Sequence, residues 1–446
     1  MKFYVFWFLW GLSLCVFGQN KFELTRETEV ATIPFELVNN LIILKVDVNG
    51  MDLNMVFDTG VKQTILINLK SLDSLNLKNV KKKRFTGVGK EHNLVEGLSS
   101  PHNNIKLQNQ IKNTDALIYI ITGAEFHFSE NIGININGLI GGELVKDFIV
   151  QIDYKRKRLR FYKHNNINHR LLKKYRKYPI HIIRGLPYVY ASVQATKKSP
   201  RIDSLKLLID TGNSDALWFF NRNKIKLPPN QKTVSDYFGL GFSGEITGDR
   251  AKVYKFGLDK KIRFKQVYIG LPDSIFFKNI IQNHAFDGLL GNEVLRRFYV
   301  IFDYRNQVVY LKKYHKNYRE HFLFNDTGMY LAYDGKIPVK VKRLVTNFES
   351  KRLGNAINIY QENTYIYSYQ MLDRIIVNYI RKDSPADRAG LMVGDVLLKI
   401  NNNNVYQYRL DELEKHFFYH NKKHLEFTVK RKGLILTFKV FNTNQL

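Results

Sequence analysis

The segment VFDTG at residues 56–60 is repeated as LIDTG at residues 208–212, so that Asp58 and Asp210 lie 152 positions apart. In each copy an apolar run of strand-forming residues ends at the aspartate, and the glycine two places later permits a sharp turn. A single Asp-Thr-Gly is a common strand ending with a turn-forming aspartate. Two copies in the same context favour a shared function, because a reaction that needs two carboxyl groups can take one from each half of a duplicated chain.

Further landmarks repeat in the same order and with nearly the same spacing. They are GVG at 87–89 and GLG at 239–241, GLIGGE at 138–143 and GLLGNE at 288–293, and IDY at 152–154 and FDY at 302–304. Ordered repetition of this kind indicates an internal duplication. Long helical periods are few, and short strands separated by turn residues are many. The sequence therefore predicts a mainly β fold of two similar lobes that face each other.

The chain of 446 residues carries a net charge of +29 and is 44% hydrophobic. Such a length and composition predict two or three folded domains. The charge raises the question of a nucleic acid or an anionic membrane as partner. Its lysines and arginines are scattered, however, and no zinc-finger, basic-zipper or RNA-binding signature occurs. We therefore interpret the charge as a solvated surface and expect no nucleic-acid partner.

The first residues have the pattern of a secretory signal. Lys2 precedes an apolar run at residues 3–17, which is short for a membrane span, so we predict a signal peptide at 1–18 and no membrane-spanning segment after its removal. The competing hypothesis is an uncleaved anchor. The only cysteine, Cys15, lies inside this run, and a lipid anchor there is less favoured because Leu14 is bulky. A periplasmic or extracellular location follows from this interpretation.

Four segments make up the predicted organisation. After the signal peptide come a first lobe at 19–165, a second lobe at 178–315 and a C-terminal domain at 325–446. The C-terminal region differs in pattern from the lobes and contains SPA at 384–386, AGL at 389–391 and GDV at 394–396.

On these residues the chain resembles the aspartic peptidases, and in particular the exported bacterial retropepsin-like peptidases that carry a C-terminal PDZ domain. The resemblance rests on the two Asp-Thr-Gly triplets, on the apolar-apolar-glycine segments at 139–141 and 289–291, and on the SPA, AGL and GDV runs. It implies a two-lobed aspartic-protease fold followed by a PDZ domain.

The resemblance also implies a reaction and its residues. Asp58 and Asp210 would share one proton and hydrolyse a peptide bond by assisting the attack of water, since two adjacent carboxyl groups cannot both ionise easily. Thr59 and Thr211 would cross-brace the two loops, while Gly60 and Gly212 would offer N–H groups to the carboxylates. No cofactor or metal is expected. The expected partner is a peptide or protein substrate, and a single chain with both aspartates can act as a monomer.

Two further sites are expected by analogy with the same families. Gly87, Val88 and Gly89 begin a glycine-containing segment that would form the flap over the substrate, with 239–248 as its counterpart in the second lobe. Residues 353–355, Leu353, Gly354 and Asn355, are the candidate carboxylate loop of the PDZ domain, which would hold the C-terminus of a peptide ligand.

Two positions depart from the family pattern. The third residue after each aspartate is often small or hydroxyl-bearing, but here these residues are Val61 and Asn213. Lys62 follows, and a cation close to the pair would favour ionisation of both aspartates unless it points into solvent. The alternative hypothesis is therefore a catalytically inactive protein that binds peptides through the same cleft and the PDZ domain.

Overall fold

The computed structural model describes residues 20–26, 28–69, 75–86, 94–122, 128–164, 166–241, 244–277, 286–353, 356–418, 424–441, 443 and 445–446. The predicted signal peptide and Cys15 lie outside these ranges, as do Gly87, Val88, Gly89, Gly354 and Asn355.

The described residues of the first half form twelve strands and two short helices before the linker at 166–177. The strands are β1 (Glu23–Leu24), β2 (Val30–Pro34), β3 (Glu36–Val38), β4 (Leu41–Val48), β5 (Met51–Asp58), β6 (Thr64–Leu66), β7 (Lys81–Thr86), β8 (Leu94–Leu107), β9 (Ile111–Ile121), β10 (Gly138–Gly141), β11 (Ile149–Asp153) and β12 (Arg158–Tyr162). The helices are α1 (Phe128–Ile132) and α2 (Gly142–Asp147), and α3 (His169–Leu172) lies in the linker.

The second half repeats this arrangement. Its strands are β13 (Arg176–Pro179), β14 (His181–Ile183), β15 (Leu186–Gln194), β16 (Arg201–Ile209), β17 (Leu217–Phe219), β18 (Thr233–Gly241), β19 (Gly244–Gly257), β20 (Arg263–Pro272), β21 (Gly288–Leu290), β22 (Phe298–Asp303) and β23 (Val308–Lys313). The helices among its described residues are α4 (Asn292–Leu295) and α5 (His315–Tyr318), with a 3-10 turn at Ser274–Phe277.

The strand order confirms the two similar lobes. The sheet of the first lobe runs β9-β6-β10-β5-β4, and that of the second runs β20-β17-β21-β16-β15. In both lobes the strand that leads to the aspartate pairs in parallel with the apolar-apolar-glycine strand, β5 with β10 and β16 with β21. Both faces of these strands pack in the core, and the strands are therefore rich in apolar residues.

A third sheet joins the lobes. Its order is β13-β23-β22-β11-β12-β2, so that β11 of the first half pairs antiparallel with β22 of the second. One hydrophobic cluster, which includes Phe57, Val150, Ile209 and Phe302, runs through both lobes and this central sheet. The lobes therefore share a core.

The C-terminal domain has its own core. It consists of β24 (Met329–Leu353), β25 (Ala356–Ile380), β26 (Val396–Ile400), β27 (Asn403–Asn404), β28 (His424–Arg431) and β29 (Leu434–Phe441), with α6 (Pro385–Arg388), α7 (Leu410–Phe418) and a 3-10 turn at Val405–Gln407. Its buried cluster includes Met329, Leu331, Ile375 and Val377 from the bases of β24 and β25. Ser384 caps α6 by accepting a hydrogen bond from the Asp387 N–H, and Pro385 occupies the first helical position.

The outer parts of β24 and β25 form a long two-stranded ribbon, here called the arm, between the pairs Lys336 with Asp373 and Leu353 with Ala356. Large side chains are exposed along one face of the arm: Leu344, Phe348, Tyr365, Tyr367 and Tyr369. Lysines stack on two of the rings, with Lys340 Nζ 4.4 Å from the Tyr367 centroid and Lys342 Nζ 3.7 Å from the Tyr365 centroid. Sequence reasoning did not predict the arm.

Candidate active site

The two aspartates stand where strands of opposite lobes end. Asp58 is the last residue of β5 and pairs with Gly141, and the Asp210 N–H donates to Leu290 O at 3.0 Å directly after β16. A Cβ at Gly141 would lie 1.9 Å from Asp58 O. Glycine is needed there because the backbone of the strand passes too close to the aspartate for any side chain.

The threonines cross-brace the two loops. Thr59 Oγ1 donates to Ile209 O at 2.7 Å and accepts from the Thr211 N–H at 3.1 Å. Thr211 Oγ1 donates to Phe57 O at 2.8 Å and accepts from the Thr59 N–H at 3.0 Å. Each hydroxyl therefore satisfies a buried donor and a buried acceptor of the other lobe, which fixes the separation of the two loops.

The carboxyl groups meet between these loops. The Gly60 N–H donates to Asp58 Oδ1 at 2.6 Å, and the Gly212 N–H donates to Asp210 Oδ1 at 2.8 Å. The two side chains also hydrogen-bond to each other. A Cβ on Gly212 would lie 2.4 Å from Asp58 Oδ2, so this glycine makes room for the opposite carboxyl group.

The environment favours one retained proton on the pair. Burial raises the pKa of Asp58. Burial raises the pKa of Asp210 well above its ordinary value, and the neighbouring charge of Asp58 raises it further. Hydrogen bonds from Gly60 and Gly212 act in the other direction by stabilising the ionised form. One carboxyl group thus stays protonated at pH values that ionise an isolated aspartate, and the titration belongs to the pair.

The side chain of Asn213, three places after Asp210, forms no hydrogen bond with the pair among the described residues. Asn213 Oδ1 accepts from the Asp215 N–H at 2.9 Å, and Asn213 Nδ2 has no hydrogen-bond partner among the described residues. The Val61 carbonyl accepts from the Gly142 N–H at 3.1 Å. Lys62 is exposed, in agreement with the solvent-facing interpretation.

A cleft of about 750 Å³ opens above the aspartates. Its first wall contains apolar side chains of lobe one, including Val56, Ile67 and Leu139. Its second wall is more aromatic and includes Trp218 and Phe238, whose rings meet edge to face at 5.3 Å. Such walls suit an extended chain with large apolar side chains on either side of the aspartates.

The C-terminal domain supplies a third wall of the cleft. Tyr330, Leu331, Asn378, Glu414 and Phe418 all line it. The domain is attached to lobe one by hydrogen bonds from Asn39 Nδ2 to Glu414 Oε2 at 3.3 Å and from Asn378 Nδ2 to Asn131 Oδ1 at 3.0 Å. An ion pair between Arg409 and Glu36 adds to them. Burial raises the pKa of Glu414 to about 8.

Lobe two is tied to the C-terminal domain through the buried carboxylate of Asp236. It accepts from Arg250 Nε at 2.8 Å, from Arg381 Nη1 at 3.1 Å and from Tyr330 Oη at 2.8 Å. Arg250 Nη1 also pairs with Asp215 Oδ2 at 2.9 Å, five residues after the second aspartate. A chain of charged groups therefore leads from the active-site loop to the C-terminal domain. Its members are far apart in sequence, so no local pattern could have identified it.

The predicted flap at Gly87, Val88 and Gly89 lies outside the described residues, although the flanking strands β7 and β8 pair up to Thr86 and Leu94. On the opposite side β18 and β19 form the predicted hairpin, with Gly241 facing Gly244. Its residues 238–241 line the cleft. The hairpin of lobe two therefore overhangs the candidate site.

Leu353, the first residue of the candidate carboxylate loop, lies far from the core of the C-terminal domain. Leu353 is the last residue of β24, at the tip of the arm, and Gly354 and Asn355 lie outside the described residues. The buried core of the domain contains Leu331, 22 residues earlier in the same strand. At about 3.3 Å per residue the tip is on the order of 70 Å from that core along the strand, so we do not place a ligand carboxylate there.

The described residues contain no group of three or more histidine, cysteine, aspartate or glutamate side chains that could hold a metal ion. None of the helices in the described ranges is both long and apolar enough to cross a bilayer.

Residues 376–431 match the PDZ domain family, which confirms the PDZ domain predicted for the C-terminal region. A search of curated protein sequences finds no match. Among solved structures, the chain is similar to the crystal structure of the aspartic proteinase from Irpex lacteus, with 13% identity and a TM-score of 0.38, over 64% of this chain and 97% of that chain.

Proposed function

We propose that the protein is an aspartic endopeptidase in which Asp58 and Asp210 form one acid-base site. The observation that carries the proposal is the pair itself: the buried carboxyl group of Asp58 and the partly buried one of Asp210 are hydrogen-bonded to each other and held by a reciprocal threonine brace at the floor of an apolar cleft. Two adjacent aspartates with raised pKa values are typical of a functional site, since an aspartate with a structural role does not require a second carboxyl group beside it.

The chemistry follows from a pair that holds one proton. The ionised carboxyl group takes a proton from a water molecule, which attacks the carbonyl carbon of the peptide bond. The protonated carboxyl group donates its proton to the carbonyl oxygen, and a later proton transfer to the nitrogen allows the C–N bond to break. We assign these roles to the pair and not to either residue alone.

The proposed substrate is an extended or unfolded polypeptide with apolar side chains next to the cleaved bond. The third wall supplied by the PDZ domain narrows access to the cleft, so a folded protein surface would fit poorly. Export by way of a cleaved signal peptide, and peptide binding by the PDZ domain, belong to the same proposal.

The deciding experiment measures cleavage of an unfolded protein by the wild type and by Asp58→Asn and Asp210→Asn across acidic and neutral pH. Each asparagine keeps the shape of the side chain but cannot carry the shared proton, and we expect cleavage to fall by about 10²–10⁴-fold. Unchanged cleavage by either variant would refute the mechanism. Binding of peptides by the wild type without any new termini would favour the catalytically inactive alternative.

A further inference from the structure

The duplication allows the two sides of the catalytic pair to be compared residue by residue. On the Asp210 side, Tyr154 Oη donates to Asn292 Oδ1 at 2.6 Å. The same asparagine donates from Nδ2 to Thr211 O at 2.6 Å. A buried tyrosine hydroxyl and a carbonyl of the catalytic loop are thus satisfied by one carboxamide.

On the Asp58 side this carboxamide is missing. The equivalent of Tyr154 is Tyr304, and the alignment of GLIGGE with GLLGNE places Gly142 where the other lobe has Asn292. Tyr304 is only 7% exposed, and its hydroxyl has no hydrogen-bond partner among the described residues. The Tyr304 hydroxyl is left unsatisfied because Gly142 lacks the carboxamide with which Asn292 pairs the Tyr154 hydroxyl.

A second carboxamide is missing from the same place. The turn 39–40 between β3 and β4 corresponds to the turn 184–185 between β14 and β15, since Val38 pairs with Leu41 and Ile183 pairs with Leu186. Asn40 Nδ2 donates to Glu293 Oε2 at 2.9 Å. In the corresponding turn the residue is Gly185.

The acid that corresponds to Glu293 is left partly unsatisfied as well, while the side chain of Lys62 lies nearest to Gly185, 3.4 Å from where its Cβ would be. Glu143, the counterpart of Glu293, accepts from the Thr64 N–H through Oε1, while its buried Oε2 has no partner within the described part of the chain. Glu143 is only 7% exposed. Burial raises the pKa of Glu143 to about 7, so near neutral pH this carboxyl group can accept or donate a hydrogen bond.

These two losses leave a cavity of about 380 Å³ behind the Asp58 loop. Gly142, Glu143, Gly185 and Tyr304 all line it. Cations lie around it at Lys62, Lys146 and Arg305, and Asp147 and His164 are also part of the lining. Asp147 is already engaged, because its Oδ2 accepts from the Phe22 N–H at 2.8 Å.

We propose that this cavity binds a small amide that carries a free carboxylate, such as a short peptide or an N-acylated amino acid. The amide carbonyl accepts from Tyr304 Oη, and the amide N–H donates to Glu143 Oε2. These are the two kinds of contact that Asn292 and Asn40 make in the other lobe. The carboxylate of the ligand lies towards the three cations. Unsatisfied buried polar groups are costly, so a ligand that pairs both of them gains the full value of each hydrogen bond.

The site is separate from the catalytic cleft, so its test does not require an active enzyme. In the Asp210→Asn background, binding of N-acetylglycine, glycylglycine and acetamide is measured by isothermal titration calorimetry. We expect saturable binding of the first two and weaker binding of acetamide, which lacks the carboxylate.

Two variants test the location. Gly185→Asn restores the missing carboxamide at a position with φ of +84°, where asparagine is tolerated, as Asn40 with φ of +63° shows. Tyr304→Phe removes the unpaired hydroxyl. Both should weaken binding at least about tenfold. The matched control is Gly50→Asn, also at a turn with positive φ but with open space around it, which should bind as the parent does.

The proposal fails if none of the probes binds saturably, or if Gly185→Asn and Tyr304→Phe bind as well as Gly50→Asn. It also fails if a crystal structure with N-acetylglycine shows only water between Tyr304 Oη and Glu143 Oε2. Water is the natural alternative occupant of a buried polar cavity.

Discussion

At the scale of single residues, the sequence identifies the catalytic candidates because their spacing is set by the duplication. Asp58, Asp210, Thr59 and Thr211 come together as the repeated triplets predict. The contacts of Asn213 could not be predicted in this way. Its side chain accepts from the Asp215 N–H, a contact that depends on loop geometry and not on residue type.

The threonine brace predicts that loss of the hydroxyl group at position 211 costs more stability than loss of the methyl group. Thr211→Ala removes the partner of Phe57 O and of the Thr59 N–H, both of them buried, and should lower the free energy of unfolding by about 1–3 kcal/mol. Thr211→Ser keeps the hydroxyl and should lose much less. Chemical denaturation of both variants measures the difference. Equal losses would mean that the methyl group, and not the hydroxyl, stabilises the loop.

Glu143 predicts a pH-dependent stability. Its pKa is raised from 4.5 to about 7 in the folded protein, so folding favours the protonated form. The contribution is fully present below pH 4.5 and is lost as the pH rises through 7. Glu143→Gln should therefore gain stability relative to the wild type at pH 8, by on the order of 3 kcal/mol, and little at pH 4. Thermal denaturation at both pH values measures this. A gain that is the same at both would contradict it.

At the scale of elements, most strands follow from short apolar runs bounded by turn residues, and the parallel pairing of β5 with β10 is reproduced by that of β16 with β21. The arm was not predicted. Its residues have ordinary strand propensities, but propensity alone does not say that a hairpin of this length extends beyond its domain with exposed tyrosines. Two-stranded ribbons owe their stability to what packs on them, and this one packs little in the described structure.

The arm therefore predicts a tolerated deletion. Val339 and Gln370 face each other in the register, so replacement of residues 340–369 by an Asn-Gly turn closes the hairpin near its base. The buried residues Leu331 and Ile375 remain. We expect the free energy of unfolding to change by no more than about 0.5 kcal/mol. A larger loss in urea denaturation would show that the arm supports the domain.

At the scale of the whole molecule, the PDZ domain is a wall of the proposed active site and not a separate module on a tether. Sequence analysis found the domain but not its position, because docking depends on distant partners such as Asp236 and Arg381. Those partners belong to different domains and carry no mutual sequence signal.

This docking predicts that loss of Arg381 lowers the stability of the PDZ domain more than that of the lobes. Arg381→Ala removes one of two guanidinium groups from the buried carboxylate of Asp236 and should cost about 3 kcal/mol or more. Calorimetry should then resolve unfolding of the PDZ domain before that of the lobes. The control is Arg374→Ala on β25, the strand that ends just before Arg381, which breaks an exposed ion pair with Asp334 and should have little effect. Similar thermograms for both variants would argue against coupling through Asp236.

The central sheet affects how the chain folds during its synthesis. One edge of β11 pairs with β12, but its other edge finds a partner only when β22, about 150 residues later, has been synthesised, so the first lobe waits with an open edge. The pairing is also symmetric about Gln151 and Ile301, which are equivalent in the duplication. A fragment ending at residue 165 presents an edge that can pair with its own copy. We expect such a fragment to dimerise or aggregate, and the intact chain to fold slowly because its defining contacts are so far apart in sequence.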